Sequence, residues 1–181
     1  MARPESGTKE RIQEVARELF GEKGVQRTSL QDIAGRLGIT KPALYYHFES
    51  REELVRSIVQ PAIDEGERFV ADLELRSETN PPAPRELLEG FFDYNFRHRA
   101  DLLLVVSDLS TFVDLGLIDS MLAWRERLVR LLFGDRPTLA QSARGVIALG
   151  GLQDCCVQFP DPTYEELRDA TVTGALAALG R

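Results

Sequence analysis

The sequence predicts an all-α protein of about nine helices, and three observations lead to that fold class. Apolar residues recur in segment after segment at the i, i+3, i+4, i+7 spacing of one buried helix face. N-capping residues, glycines and prolines separate these segments at helix-length intervals. Near the N-terminus, two short segments of this kind are joined by a glycine, which is the pattern of a helix-turn-helix. The sequence therefore predicts a three-helix N-terminal head followed by a larger helical part.

The first predicted helix begins at Thr8 and ends near Gly24. The polar residues before it, Met1 to Gly7, predict a mobile arm whose Arg3 is a candidate for the DNA minor groove. The apolar face of the helix is built from residues at helical spacing, namely Ile12, Val15, Ala16, Leu19 and Phe20.

The next segment, which begins at Thr28, is predicted to form the first helix of the helix-turn-helix. Thr28 is a good N-cap with Gln31 three places on, so their side chains can satisfy free backbone N–H groups at a helix start. Gly38 can take the left-handed conformation of a C-cap, so this helix is predicted to end at about Leu37. Its buried face consists of Leu30, Ile33, Ala34 and Leu37.

A second short helix is predicted over residues 41–47. Thr40 is its N-cap, and Pro42 stands in the first turn, where a missing N–H costs nothing. Leu44 and Phe48 point toward a core. The remaining side chains are rich in hydrogen-bond donors and rings and include one cation, which suits a helix laid into the major groove.

The rest of the chain reads as further helices. Ser50 caps a fourth helix that continues past Pro61 with an expected kink. Residues Ser77 to Pro84 form a proline-rich loop. Beyond it the glycine and proline positions predict five helical segments, at 84–99, 101–114, 117–133, 138–158 and 163–179.

The run Leu44-Tyr45-Tyr46-His47-Phe48, followed by Ser50-Arg51-Glu52-Glu53-Leu54, resembles the signature of the TetR family of bacterial transcription regulators. The match extends over roughly Ile12 to Ile58. The resemblance implies an all-helical homodimer with an N-terminal DNA-binding domain and a larger C-terminal ligand-binding and dimerisation domain. On this sequence those parts are residues 1–50, a linking helix at 51–76, and residues 77–181.

The resemblance also implies that DNA is contacted from the start of the first motif helix and along the second. Gln31 and Lys41 are the candidates for base edges, and hydroxyl groups at the helix start are candidates for phosphates. The full set carried onto this sequence is Thr28, Ser29, Gln31, Thr40, Lys41, Pro42, Ala43, Tyr45, Tyr46, His47 and Arg51. The family's homodimers imply a double-stranded operator that is an inverted repeat.

Aromatic and polar residues of the C-terminal part are candidates for a small-molecule effector site. Apolar pockets with a few polar anchors bind such ligands, although packed aromatics more often form plain core. The candidates are Phe91, Phe92, Tyr94, Asn95, His98, Asp108, Thr111, Phe112, Trp124 and Gln153.

The last two predicted helices, 138–158 and 163–179, interleave small and apolar residues. Small residues let helix backbones approach closely, either within one chain or between two. Together with the resemblance, this pattern favours a homodimer in which both helices of each subunit form a two-fold interface.

Charge and residue inventory narrow the function further. Residues 1–60 hold ten Lys or Arg against nine Asp or Glu, whereas the remainder holds twelve against twenty, so DNA would meet the N-terminal part. The sequence holds two histidines and has no metal-ligand spacing, no phosphate loop and no nucleophile elbow, which argues against an enzyme, a metal site or a cofactor.

The adjacent residues Cys155 and Cys156 are predicted to be small buried hydrophobic side chains rather than partners in a disulfide bond. No signal region and no membrane-length apolar run is present, which predicts a cytoplasmic protein.

The sequence therefore predicts a DNA-binding regulator, in the family's common mode a repressor released from its operator by a small, largely apolar ligand. Two alternatives stay open. The chain could bind a small molecule without specific DNA binding, or it could bind DNA without any ligand.

Overall fold

The structure, a computed structural model, describes residues 5–180, and every regular element within that range is an α-helix. The ten helices are α1 Glu5–Lys23, α2 Leu30–Leu37, α3 Lys41–Tyr45, α4 Arg51–Ser77, α5 Pro84–Arg97, α6 Arg99–Ser107, α7 Leu109–Asp114, α8 Leu117–Phe133, α9 Leu139–Gln158 and α10 Tyr164–Leu179. The all-α class with its helix-turn-helix head is confirmed. None of the described helices is both long enough and apolar enough to cross a membrane.

Several helix boundaries differ from the predictions. Helix α1 begins at Glu5, so the end of the predicted arm is helical, while Arg3 lies outside the described residues. Helix α3 ends at Tyr45 rather than residue 47. The predicted segment 101–114 is two helices, because Asp108 leaves the helical conformation (φ −144°, ψ 60°) and caps α7 by accepting a hydrogen bond from the Thr111 N–H. This break makes ten helices instead of nine.

The chain forms two compact units. Of the described residues, the first comprises 5–62 and 103–117, and the second comprises 63–102 and 118–180. Helix α4 continues through Pro61 and contributes its first part to one unit and its remainder to the other. The segment 103–117, which holds α7 and the end of α6, thus belongs with the helix-turn-helix although it is distant in sequence.

Each unit has its own apolar core. In the first unit α1, α2 and α3 pack on one another around fully buried side chains, among them Ile12, Leu19, Ile33, Leu44 and Phe48. In the second unit α5, α9 and α10 pack on one another, and the core also takes in side chains of α4 and α8, such as Val70, Leu73, Trp124 and Leu128. Burial of these apolar side chains drives the folding of both units.

Candidate nucleic-acid interface

The N-cap of α2 is Ser29, not Thr28 as the sequence predicted. The Asp32 N–H donates to the Ser29 hydroxyl oxygen at 3.2 Å, and the Ser29 N–H donates to the Asp32 carboxylate at 2.9 Å, which completes a capping box. The Ser29 hydroxyl also donates to the Asp32 carboxylate at 2.7 Å, and the two hydrogen bonds that this carboxylate accepts from Ser29, together with the charge of Lys23, hold the pKa of Asp32 below its usual range. Gly38 ends the helix with a left-handed φ of 67°.

Thr28 lies inside the head. Its side chain is 1% exposed, and its hydroxyl donates to the carbonyl oxygens of Leu19 at 3.2 Å and Gly24 at 2.9 Å. Leu19 lies in the last turns of α1 and Gly24 directly follows that helix, so the hydroxyl ties the start of the next segment to the end of α1. The Thr28 hydroxyl is therefore taken up by the protein, and the predicted phosphate contact from it is wrong.

Helix α3 presents most of its residues outward. Thr40 caps it by accepting from the Ala43 N–H at 3.3 Å, and Pro42 occupies the first turn. Leu44 and Phe48 are buried and anchor the segment to the core of the first unit. The helix is only five residues long, so its orientation depends on these two anchors rather than on its own hydrogen bonds.

The outward side chains of α3 and its C-terminal turn combine a cation with rings. Lys41 places its ammonium 5.5 Å from the ring centroid of Tyr45. The Tyr46 side chain is 76% exposed, and its ring meets the half-buried His47 ring edge-on at 5.3 Å. Exposed aromatic and cationic side chains of this kind can contact both sugar-phosphate and base edges.

Most of the predicted DNA-contact residues are solvent-exposed in the structure. The exposed ones are Ser29, Gln31, Thr40, Lys41, Pro42, Ala43, Tyr45 and Tyr46. Arg51 differs, because one terminal nitrogen donates to the Gln26 carbonyl at 2.9 Å and the other donates to the Glu52 carboxylate at 3.1 Å. Arg51 therefore ties the first turn of α4 to the loop between α1 and α2, a contact that no sequence pattern predicted.

Lys9 and Arg27 are among the further exposed cations of the same unit. Lys9 of α1 has its ammonium 5.2 Å from the ring centroid of Phe48, which joins α1 to the segment after α3. Arg27 in the loop before α2 donates from Nε to the Lys23 carbonyl at 2.6 Å and keeps its side chain exposed. In contrast, Arg36 is engaged by the Glu22 carboxylate at 3.0 Å. The sequence showed these cations but not which of them would be paired.

The predicted effector-site residues do not gather on one surface within either unit. Phe91 and Tyr94 lie on the face of α5 that meets Trp124, and the rings of Tyr94 and Trp124 are 6.2 Å apart. Phe92 lies on another face of α5, with its ring 5.6 Å from that of Tyr164. Asp108, Thr111 and Phe112 belong to the first unit, whereas Phe91, Phe92, Tyr94, Asn95, His98, Trp124 and Gln153 belong to the second.

Their polar groups already have protein partners. The Asn95 amide donates to the Phe91 carbonyl at 2.7 Å, and Gln153 accepts from Arg125 at 2.9 Å. His98 Nε2 lies 3.0 Å from a carboxylate oxygen of Glu65, which also pairs with Arg97. Burial, with the charges of Glu65 and Asp101, raises the pKa of the Tyr94 hydroxyl, so it stays protonated.

Helices α9 and α10 border a groove of about 820 Å³ on the second unit. Its lining is apolar and rich in small side chains, and it includes Ile147, Gly151, Cys155, Ala170, Gly174 and Ala178. Both cysteines are free thiols, and burial raises the pKa of Cys156 to about 12. Among residues 5–180, no three His, Cys, Asp or Glu side chains are arranged to hold a metal ion.

The N-terminal part of the chain is similar to known regulators. Residues 12–58 match the bacterial regulatory proteins of the tetR family. Over 60 residues the chain is 37% identical to the HTH-type transcriptional repressor KstR2 of Rhodococcus jostii, and this match covers 33% of the chain and 29% of that protein. Over 74 residues it is 34% identical to the HTH-type transcriptional regulator TtgR of Pseudomonas putida, covering 41% of the chain and 35% of that protein. These matches span about a third of the curated relatives' own length.

Solved structures match the chain over nearly its whole length. The TetR family transcriptional regulator PfmR from Thermus thermophilus is 30% identical, with a TM-score of 0.70, and the match covers 94% of this chain and 100% of that one. A transcriptional regulator from Aquifex aeolicus is 27% identical, with a TM-score of 0.71, and the match covers 94% of this chain and 98% of that one. The likeness therefore includes the helices after the head as well as the head itself.

Proposed function

This chain belongs to the TetR family of bacterial regulatory proteins, and from that premise we propose that it is a sequence-specific DNA-binding regulator of transcription. In this proposal it acts in the cytoplasm as a repressor, leaves its operator when a small, largely apolar ligand binds, and catalyses no reaction. The single observation that carries the proposal is the exposed face of α3. The buried side chains of Leu44 and Phe48 hold this helix on the core of the first unit, so its other residues face solvent.

In this proposal, residues of α3 and of the start of α2 contact different parts of the DNA. Lys41 suits guanine, whose major-groove edge offers two acceptors, and Gln31 at the exposed start of α2 suits adenine. Tyr46 and Ser29 supply hydroxyl groups for phosphates, and the first N–H groups of α2 add to them. Pro42 and Ala43 offer apolar contact to thymine methyl groups.

The operator should be an inverted repeat, because the protein acts as a homodimer through α9 and α10. The groove of about 820 Å³ between these helices supports this assignment, since its small side chains would admit the helices of a second copy. Two copies related by a two-fold axis would set two α3 helices about 34–36 Å or a multiple of it apart.

Contacts inside the first unit support control of the head by the segment 103–117. The Gln26 side-chain amide donates to the Asp108 carboxylate at 3.2 Å and to the Ser110 hydroxyl at 3.0 Å. Arg56 donates to the Leu115 carbonyl at 2.8 Å. A ligand that displaced this segment would therefore strain the loop before α2, and its effect would be limited by its differential affinity for the two forms.

A second candidate function is DNA binding without an effector. It is favoured by the packing of the predicted pocket aromatics, because Phe92 and Phe112 are completely buried and serve as core. Thermal shift against a compound library separates the two candidates. A stabilising compound that also weakens operator binding supports the effector, and a compound that stabilises without changing operator affinity contradicts it.

Selection of random duplexes by the purified protein, followed by sequencing, tests the proposed function. The proposal expects an enriched inverted repeat whose two half-sites have centres about 10 base pairs apart, or a multiple of that spacing. Enrichment of a single unrepeated site would contradict the dimer, and no enrichment with or without added ligand would contradict specific DNA binding.

A further inference from the structure

The ends of three helices of the second unit surround an open cavity of about 580 Å³. The last turn of α5, the first turn of α6 and the start of α10 meet there. The residues that line the cavity are Asp93, Phe96, Arg97, Arg99, Ala100 and Tyr164. None of these side chains has a role in the proposed recognition of DNA.

Two rings form a fixed apolar wall. The ring centroids of Phe96 and Tyr164 are 5.2 Å apart, with the ring planes at 80°. Phe92 lies behind them in the core, with its ring 5.6 Å from each of the two. Edge-to-face packing of this kind holds aromatic side chains in place, so the wall exists before any ligand arrives.

Arg99 packs against that wall. The central carbon of its guanidinium lies over the Phe96 ring, 3.9 Å from the ring centroid. One N–H group donates to the Phe96 carbonyl at 3.4 Å, which leaves the other N–H groups of the guanidinium fork for a second partner. Within residues 5–180, no carboxylate lies within ion-pair distance of Arg99.

The other charges around the cavity are engaged with each other. Arg97 pairs with Glu65, and Arg168 pairs with Glu89 at 3.1 Å and approaches Asp93 at 3.8 Å. The Tyr164 hydroxyl donates to Asp93 at 2.6 Å, and that hydrogen bond raises the pKa of Tyr164. Asp93 is thus screened by a neighbouring cation and a donor, while Arg99 keeps its positive charge unmatched.

We propose that this cavity binds a small organic carboxylate with a flat apolar body. A carboxylate beside the Arg99 guanidinium would accept two parallel hydrogen bonds, and the body of the ligand would pack next to the guanidinium, against the parts of the Phe96 and Tyr164 rings that Arg99 leaves uncovered. Because Phe96 already holds the guanidinium, little side-chain freedom is lost on binding. This ligand site goes beyond the proposed recognition of DNA and does not depend on it.

Benzoate is the probe that tests this site, titrated into the purified full-length chain by calorimetry with no DNA present. Acetate has the charge without the ring, benzamide has the ring without the charge, and inorganic phosphate is an anion without apolar surface. The site predicts that benzoate binds at least about tenfold more tightly than any of the other three, because only benzoate satisfies both the guanidinium and the ring wall.

Two matched charge deletions locate the binding. Arg99→Gln should weaken benzoate by at least about tenfold, since it removes a charge-assisted hydrogen-bonded pair. Arg85→Gln removes the same charge from the first turn of α5, at the other end of that helix from the cavity, where Arg85 pairs with Glu89 at 3.5 Å; it should leave benzoate affinity within about twofold. Equal weakening by both variants would mean general attraction of anions, and no weakening by Arg99→Gln would mean binding elsewhere. Either result overturns the site.

A third variant tests whether weaker benzoate binding comes from a lost contact rather than from misfolding. Arg99→Lys keeps the charge but loses the planar fork and much of the stacking, so it should also weaken benzoate while the thermal midpoint without ligand stays near that of the original chain. Benzoate affinity unchanged in Arg99→Lys would contradict the bidentate geometry. Because these titrations contain no DNA, a negative result would leave the proposed operator binding untouched.

Discussion

Adjacent residues at the start of α2 have opposite environments. Thr28 is buried and donates its hydroxyl to two carbonyls of the α1 end, whereas Ser29 is exposed and caps α2. Lys41, at the first position of α3, is exposed, and its ammonium rests near the Tyr45 ring. Thr28 therefore supports the head, and Ser29 and Lys41 are in position to meet DNA.

Replacing Thr28 by Val tests whether its hydroxyl stabilises the head or contacts a DNA phosphate. The change keeps the shape and removes the hydroxyl, so its hydrogen bonds to the carbonyls of Leu19 and Gly24 are lost. We expect the free energy of unfolding to fall by about 1 kcal/mol, measured by urea denaturation, with the salt dependence of operator binding unchanged. A reduced salt slope at unchanged stability would mean that the hydroxyl binds phosphate after all.

Lys41→Ala is the matched change on the exposed side. It should leave the free energy of unfolding within about 0.5 kcal/mol, because the side chain is exposed and contributes little packing. Duplex selection with this variant should give a relaxed preference at one base pair of each half-site. Weakening that is equal for every sequence would instead assign Lys41 to the phosphate backbone.

At the scale of elements, α7 is the helix that the sequence pattern predicted least well, because it was not separated from the segment before it. Helix caps, the Gly38 turn and the Leu44 and Phe48 anchors are local signals, and they predicted α2 and the start of α3. Asp108 was predicted as a polar anchor of a pocket, but in the structure it begins a new helix and accepts from Gln26. The cap of α7 is local, because Asp108 accepts from the Thr111 N–H three residues on, and the prediction of a single segment at 101–114 missed it. The hydrogen bond from Gln26 joins residues 82 positions apart, so periodicity and spacing could not reveal it.

Gln26→Ala should loosen α7 while leaving α2 and α3 intact. The change removes the hydrogen bonds to Asp108 and Ser110, so the amides of Leu109–Asp114 should exchange with solvent several-fold faster. Arg27→Ala is the control, because the Arg27 side chain bonds the Lys23 carbonyl and not α7. Equal acceleration in both variants would show that the loop as a whole had loosened.

Acid should weaken the same contact. Burial alone would raise the pKa of Asp108, but hydrogen bonds from Ser110, Thr111 and Gln26 outweigh burial and hold the pKa below its usual range. The stabilisation is therefore present above the ordinary aspartate pKa of about 3.9 and is lost as the pH falls through the lower folded value. The NMR shift of the Gln26 side-chain amide should titrate with a midpoint below about 3.9. A midpoint above that value would contradict the balance of interactions at Asp108.

At the scale of the whole molecule, the family resemblance carried by residues 44–54 is confirmed, and so is the all-α fold. The residues predicted for an effector site do not form one cluster, because Phe91 and Phe92 are neighbours in sequence yet face different neighbours across α5. Which face an aromatic side chain takes in a packed helical unit depends on the partner helices. The homodimer through α9 and α10 stays a prediction.

Ile147→Asp tests that dimer. Ile147 lines the groove and is 64% exposed, so a charge there should cost the subunit's own fold little but oppose an apolar interface. We expect a monomer by sedimentation and a loss of operator affinity of at least about tenfold. Leu139→Asp is the control, since Leu139 is 87% exposed on the same helix and does not line the groove. A dimer that survives Ile147→Asp would move the interface elsewhere.

The most direct test of specific, dimeric DNA binding is the affinity of the purified protein for its selected inverted repeat and for a scrambled duplex over a salt series. We predict that the inverted repeat binds at least about 10³-fold more tightly, with two chains per site and an affinity that falls steeply with salt. Equal affinity for the two duplexes at every salt concentration would contradict the assignment of α3 as a sequence-reading helix.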